Sequence, residues 1–341
     1  MKTSIITAAA IASAIALTAG AASAQSAKEF YNGKSVEIYI GYGLGGTYGK
    51  SATIMGEHLK GRLGADSVIV KSMPGAGGLK MTNYYANIAP KDGSAIMLPP
   101  DTMAITQMLK PKKAKYNSMD FRWLGAAVRS NSVSAVRADS GVKSWTDLKT
   151  KEVPFASSGL GSQTYQIPAL INGLLNTKIK IVRGYKGSRK MLLAMEQGEA
   201  AGINLTWLAF KTNRKEWFDK GFALPVIQMG PTPDPELAGV PNLKDLVKAE
   251  DRPIVSFMSS LISIGRSLTV RKEVTADRVA FLRAAFEDMA KDPKFIADMQ
   301  KRKLQVTFTS ADDIHKVVKE SVSMSPAIIN RTNKILFGGA S

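Results

Sequence analysis

The chain has 341 residues and no cysteine. Disulfide scaffolds, Cys-ligated zinc, iron–sulfur clusters and cysteine nucleophiles are excluded with it. Histidine is nearly absent too: His58 and His315 are the two present. A His-rich metal site is not expected from such a pair, and a histidine general base would have to be one of them. Acids are scarce, with 28 Asp and Glu against 46 Lys and Arg and a net charge of +18. Beyond the first residues, no apolar run reaches the about 18 residues of a membrane span. What is present is ordinary: 45% hydrophobic and 22% charged residues, which excludes disordered and fibrous chains. At about 150 residues per domain, two domains are expected.

The N-terminus sets the compartment. Lys2 precedes an apolar run over 5–17, and Ala22-Ser23-Ala24 fits the small-x-small cleavage rule. A secretory signal peptide over 1–24 follows, cut before Gln25. The mature chain would hold 317 residues and keep 45 basic groups against 28 acidic ones. Export changes the meaning of that charge, because nucleic acid is not the usual partner outside the cytosol. The basic runs at 110–115, 211–215, 271–272 and 301–303 carry no aromatic-interleaved RNA motif. They read as a solvated surface or as a field that draws in small anions. Screening within ~8–10 Å limits the second effect.

Strand, glycine loop and helix alternate along the first half. Residues 36–40 read as a strand, 41–49 as a glycine loop, and Ala52, Met55, Leu59 and Leu63 repeat at helical spacing. Residues 67–70 are the next strand, 74–78 a second glycine loop, and 94–98 a third strand after the turn at Pro90-Lys-Asp-Gly93. The middle repeats the theme, with strands at 153–156, 179–182 and 223–228 and a glycine loop at 157–162. The last hundred residues are mostly helical, and Thr275, Val279, Leu282, Phe286 and Met289 form one core stripe. This alternation predicts an α/β fold with parallel sheets.

Three of the strands run into a glycine loop and then a helix, after Ile40, Val70 and Ala156. Glycine lets backbone N–H groups converge without side chains in the way. The helix start adds unpaired donors and the positive end of its dipole, so the arrangement suits an anion. Gly41-x-Gly43-x-x-Gly46 matches a dinucleotide fingerprint, yet Lys71 stands where the ribose-binding acid belongs. Gly49-Lys50-Ser51 resembles the tail of a P-loop, yet Leu44 replaces its first glycine. No nucleotide cofactor is expected. Asp101 follows Pro99-Pro100 at a strand end, a place where catalytic acids occur, but no second acid pairs with it. With no G-x-S-x-G and no H-E-x-x-H, no catalytic residues, metal or enzyme activity are expected.

Several runs resemble one family, the solute receptors of tripartite tricarboxylate transporters, called Bug or TctC. They are Ile38-Tyr-Ile-Gly-Tyr-Gly-Leu-Gly-Gly-Thr-Tyr48, Met73-Pro-Gly-Ala-Gly-Gly-Leu79 and Ala89-Pro-Lys-Asp-Gly93. Val136-Arg-Ala-Asp-Ser-Gly141, Gly159-Leu-Gly-Ser162, Gly184-Tyr-Lys-Gly-Ser188 and Gly265-Arg266 continue the match. It runs from about Tyr31 to beyond Thr309. The resemblance implies a two-domain periplasmic receptor of the Venus-flytrap type, each domain a mainly parallel sheet flanked by helices. Residues 25–130 with 255–341 would form one domain and 131–254 the other. The crossing segments would be 126–136 and 255–265, both apolar and strand-like.

The resemblance also implies a site. The first loop carries over to Tyr42, Leu44, Gly45, Gly46, Thr47 and Tyr48, and the second to Gly75, Ala76, Gly77 and Gly78. Asp101 and Thr102 take the strand-end position. Ser157, Gly161, Ser162, Gln163 and Thr164 take the serine-loop role, with Tyr185, Asn204 and Trp207 around them. Backbone N–H groups and the hydroxyls of Thr47, Ser162 and Thr164 would hold a small carboxylate. Tyr42, Tyr48, Tyr165 and Trp207 either stack on a flat ligand or pack. The implied partner is a membrane permease, and the implied state is a monomer. Two departures matter: Gly49 stands where many relatives have an acid, and Gly198-Glu-Ala-Ala-Gly202 replaces a more acidic run. Both favour plain carboxylates over amino acids. An exported enzyme and a sensor ligand-carrier are the alternatives.

Overall fold

The structure, a computed structural model, describes residues 25–260 and 264–338. The expected signal peptide, 1–24, lies outside the described residues. Among the described residues, ten strands form two sheets of five. The first sheet begins with β1 (Ser35–Ile40), which pairs in parallel with β2 (Ser67–Ser72) and with β3 (Ala95–Leu98). All four residues of β3 are buried, as expected for a strand with helices on both faces. β4 (Phe121–Ala126) is the last strand before the chain leaves this sheet.

The second sheet holds β5 (Ser132–Arg137), β6 (Val153–Ser157), β7 (Ile179–Arg183), β8 (Gly202–Thr206) and β9 (Ala223–Met229). The chain then returns to the first sheet as β10 (Ser267–Arg271). The orders are β2-β1-β3-β10-β4 and β7-β6-β8-β5-β9. These are the same pattern twice. In each sheet, one strand from the far side of a crossing is inserted antiparallel between two others. The sheets are therefore mixed, each with one reversed strand, rather than purely parallel.

The crossings differ from the sequence reading. Residues 126–136 are not one apolar strand but the end of β4, a link at 127–131, and β5. Residues 255–265 are not strand-like: 252–260 form the helix Arg252–Ser260. Pro253 suits the start of a helix. Ile254, Val255, Phe257 and Met258 give the helix a buried face. An unbroken apolar run cannot by itself distinguish a buried helix from a buried strand.

Helices cover both sheets, and their starts position the site. Helix Thr47–Leu63 begins inside the stretch 41–49 expected as a glycine loop, with extended Gly46 at its N-cap. Helix Gln163–Leu175 begins directly after Ser162, whose hydroxyl accepts from the Thr164 N–H. Thr47, Tyr48, Gln163 and Thr164 thus belong to first helical turns, where backbone donors have no partner within the helix. The C-terminal helix Pro326–Phe337 packs on helix Gln163–Leu175. The Phe337 and Tyr165 rings stack at 5.8 Å, and Ile335 fills the space over Gly173. Among the described residues, no helix is long and apolar enough to cross a membrane.

Candidate functional site

β1, β2 and β3 of the first sheet and β6 and β7 of the second each run into a loop that reaches the other half. Their loops meet by direct contact. The Gly43 N–H donates to the Lys186 carbonyl at 2.9 Å, and the Thr102 hydroxyl to the Gly161 carbonyl at 2.6 Å. Gln163 Nε2 donates to Asp101 Oδ2 at 3.1 Å, and Lys50 Nζ to Asn213 Oδ1 at 2.8 Å. The cleft is closed in this structure.

Glycine makes the closure possible. Gly77 has φ +71, and a Cβ there would lie 2.5 Å from the Ser162 nitrogen and 2.8 Å from the Gly161 carbonyl carbon. Those are backbone atoms of the other half and cannot swing aside. A Cβ on Gly49 would lie 2.0 Å from the Leu44 carbonyl oxygen. A side chain at position 49 has no room beside this loop.

Between the loops lies a cavity of about 30 Å³. Seven of the expected residues line it: Tyr42, Gly46, Thr47, Tyr48, Ser162, Gln163 and Thr164. The hydroxyls are pre-ordered. Thr164 Oγ1 lies 3.0 Å from Ser162 Oγ and accepts from the Ser158 N–H at 3.0 Å. Ser132 donates to Gln163 Oε1 at 3.0 Å and accepts from Asn204 Nδ2 at 2.7 Å.

The other expected residues fall elsewhere. Gly75, Ala76, Gly77 and Tyr185 border a second cavity of about 220 Å³ that shares Tyr42 and Ser158 with the first. Gly78 is packed against Pro100 and Tyr42. Leu44 is 53% exposed, and Gly45 sits under the Arg189 side chain. Asp101, Thr102, Ser157 and Asn204 are buried behind the cavity wall as supports, and Gly161 bridges the halves through its carbonyl. Trp207 turns away: its Nε1 donates to Glu236 at 2.8 Å, and it borders an open groove of about 780 Å³ on another side. Tyr165 faces Phe337 rather than a ligand. Of the four aromatics, only Tyr42 and Tyr48 reach the cavity, their rings 4.4 Å apart.

The sequence reading missed Arg266 as a site residue, together with Ser158, Ser188, Met191, Leu205, Thr206 and Ala209. Arg266 directly precedes β10, and only its place in the Gly265-Arg266 resemblance hinted at it. It is 3% exposed, and its guanidinium lies 3.9 Å from the centre of the Tyr48 ring. Arg266 Nη1 is 3.7 Å from Asp101 Oδ2. Burial pushes the Asp101 carboxyl above the ordinary carboxylate range, and Arg266 pulls it back. Burial also raises the Tyr42 and Tyr48 phenols, so both stay neutral. The two histidines sit apart from the cavity. His58 packs on Phe295 and bonds Asp298 at 3.0 Å, and His315 lies on helix Ala311–Val322. Among the described residues, no cluster of His, Asp and Glu is placed to hold a metal ion.

Solved structures share this architecture. The fold is that of a two-domain periplasmic binding protein. The periplasmic binding protein BugD superposes with a TM-score of 0.71 at 18% identity, over 89% of this chain and 98% of that one. MatC from Rhodopseudomonas palustris, solved with bound malate, gives 0.69 at 18%, over 89% and 99%. Rpa4515 from R. palustris, solved with adipate, gives 0.69 at 17%, over 89% and 97%. At these identities the likeness concerns the fold. No family model matches the chain, and no curated protein matches it.

Proposed function

We propose that the chain is an exported solute receptor of the Bug and TctC kind. It captures a small carboxylate between its two halves and delivers it to a tripartite tricarboxylate-type membrane permease. One observation carries the reading: loops from both sheets converge on one cavity, lined by hydroxyls and two helix starts. Hydrogen bonds to a charged group contribute roughly 1.5–3 kcal/mol each. Closure of the halves around the ligand is the state a permease would sense. Malate and adipate in two proteins of the same fold support a carboxylate here. The Ala22-Ser23-Ala24 site supports cleavage before Gln25 and release into the periplasm. The division into 25–130 with 255–341 and 131–254 is supported by the two sheets, one holding β1 to β4 with β10, the other β5 to β9.

A binding role is favoured over catalysis by the way the hydroxyls are used. Ser157, Ser158, Ser162 and Thr164 bond one another and backbone, and neither histidine adjoins them. The test is a thermal-shift screen of the mature protein, unfolded and refolded to strip any co-purified ligand. A ligand at 100 times its Kd adds about 2.7 kcal/mol to native stability. A shift confined to carboxylates supports the reading; turnover of a bound acid, or shifts with amino acids or sugars alone, overturns it.

A further inference from the structure

We propose that Arg266 is the charged anchor of the cleft and that it selects a monocarboxylate. The proposal rests on the receptor reading above and narrows its substrate class. Arg266 is 3% exposed and lines the cavity. Its Nε has no partner. Its other contacts are long: Nη1 to Asp101 Oδ2 at 3.7 Å, and Nη2 to Thr47 Oγ1 at 3.5 Å. A guanidinium carries five donors in a planar fork. Burying that charge is costly unless its donors are filled. A buried fork with unfilled donors beside a hydroxyl-lined cavity fits an arriving carboxylate, which matches it bidentately. The Tyr48 ring, 3.9 Å away, fixes the plane of the fork.

Charge then restricts the ligand. Among the described residues lining this cavity, Arg266 is the one charged side chain, and Met191, Leu205 and Ala209 supply apolar wall. One carboxylate is matched by the guanidinium; a second would meet no further cation in this cavity, where an unpaired charge is costly. The cavity of about 30 Å³ has room for two or three waters, and the cavity of about 220 Å³ that shares Tyr42 and Ser158 adjoins it.

The test is titration calorimetry of the stripped mature protein with acetate, propionate, lactate, malate, adipate and the neutral lactamide. Variants Arg266→Gln, Arg266→Lys and Asp101→Asn with Arg266→Gln are compared, their folding checked by circular dichroism and melting. We expect one monocarboxylate to bind at least tenfold tighter than either diacid, and lactamide not to bind. Arg266→Gln should weaken it by roughly a hundredfold, and Arg266→Lys by less. If Arg266→Gln misfolds through the stranded Asp101, the double variant decides. Wild-type affinity in a folded Arg266→Gln or double variant overturns the anchor and leaves the receptor reading intact. Tighter binding of malate or adipate overturns the selection. If no acid binds the wild type, the carboxylate-receptor reading fails, and this proposal with it.

Discussion

The two halves of the cleft repeat one strand order but furnish it differently. The first half presents glycine: loop 41–46 and loop 75–78, where Gly75, Ala76, Gly77 and Gly78 all have positive φ. The second half presents hydroxyls, Ser157, Ser158, Ser162, Thr164 and Ser188, held by one another and by helix starts. The first half therefore governs how near the halves come, through the absence of Cβ atoms. The second governs what is recognised, through the donors it fixes. Arg266 is the exception, a charged donor held by the glycine-rich half.

The comparison breaks most visibly at Gly77. Gly77→Val would drive a side chain into the backbone at 161–162. The expected result is complete loss of ligand-induced stabilisation, while the unliganded melt falls only modestly. A smaller effect follows from the hydroxyl half. Ser162→Ala removes a cap worth about 1 kcal/mol. It also removes a bond to Thr164 Oγ1, and carboxylate affinity should fall by roughly tenfold in calorimetry.

Asp101 sharpens the contrast through pH. Its carboxyl is raised, so the folded chain takes up that proton more readily than the unfolded chain. Its contribution favours the folded state at low pH and is lost as pH rises through the raised value. Above that value its negative charge offsets Arg266, while Tyr42 and Tyr48 stay neutral. Carboxylate affinity should therefore rise as pH falls toward that value. The slope should vanish in Asp101→Asn. The smallest effect belongs to the rim. Lys50 bonds Asn213 across the cleft, and burial followed by Arg214, Arg189 and Arg302 lowers its pKa. Lys50→Ala should change affinity by about 0.5 kcal/mol or less, with a weaker salt dependence of the association rate.

Much of the fold was legible because local signals agreed. β1, β2, β3, β6, β7 and β9 each fell within two residues of their expected places, since glycine or proline punctuates their ends. Four strands were not read singly: β4, β5, β8 and β10. β5 and β10 are the reversed, inserted strands, and β8 carries Asn204 and Thr206 in a fully buried segment. Pairing across a crossing leaves no local trace.

The site was legible where loop and helix start adjoin in sequence, as at Gly46-Thr47-Tyr48 and Ser162-Gln163-Thr164. Arg266 was not, because it reaches Thr47 from 219 residues away and only the fold joins them. Trp207 misled for a related reason. An aromatic at a strand end can face either way, and Glu236 holds this one outward.

The most direct test is a crystal structure of the mature chain with the acid that gives the largest thermal shift. The account predicts the carboxylate between the first turns of helices Thr47–Leu63 and Gln163–Leu175, within hydrogen-bonding distance of Thr47 and Thr164. A carboxylate seated instead in the open groove beside Trp207, with the cleft still closed and empty, would contradict it.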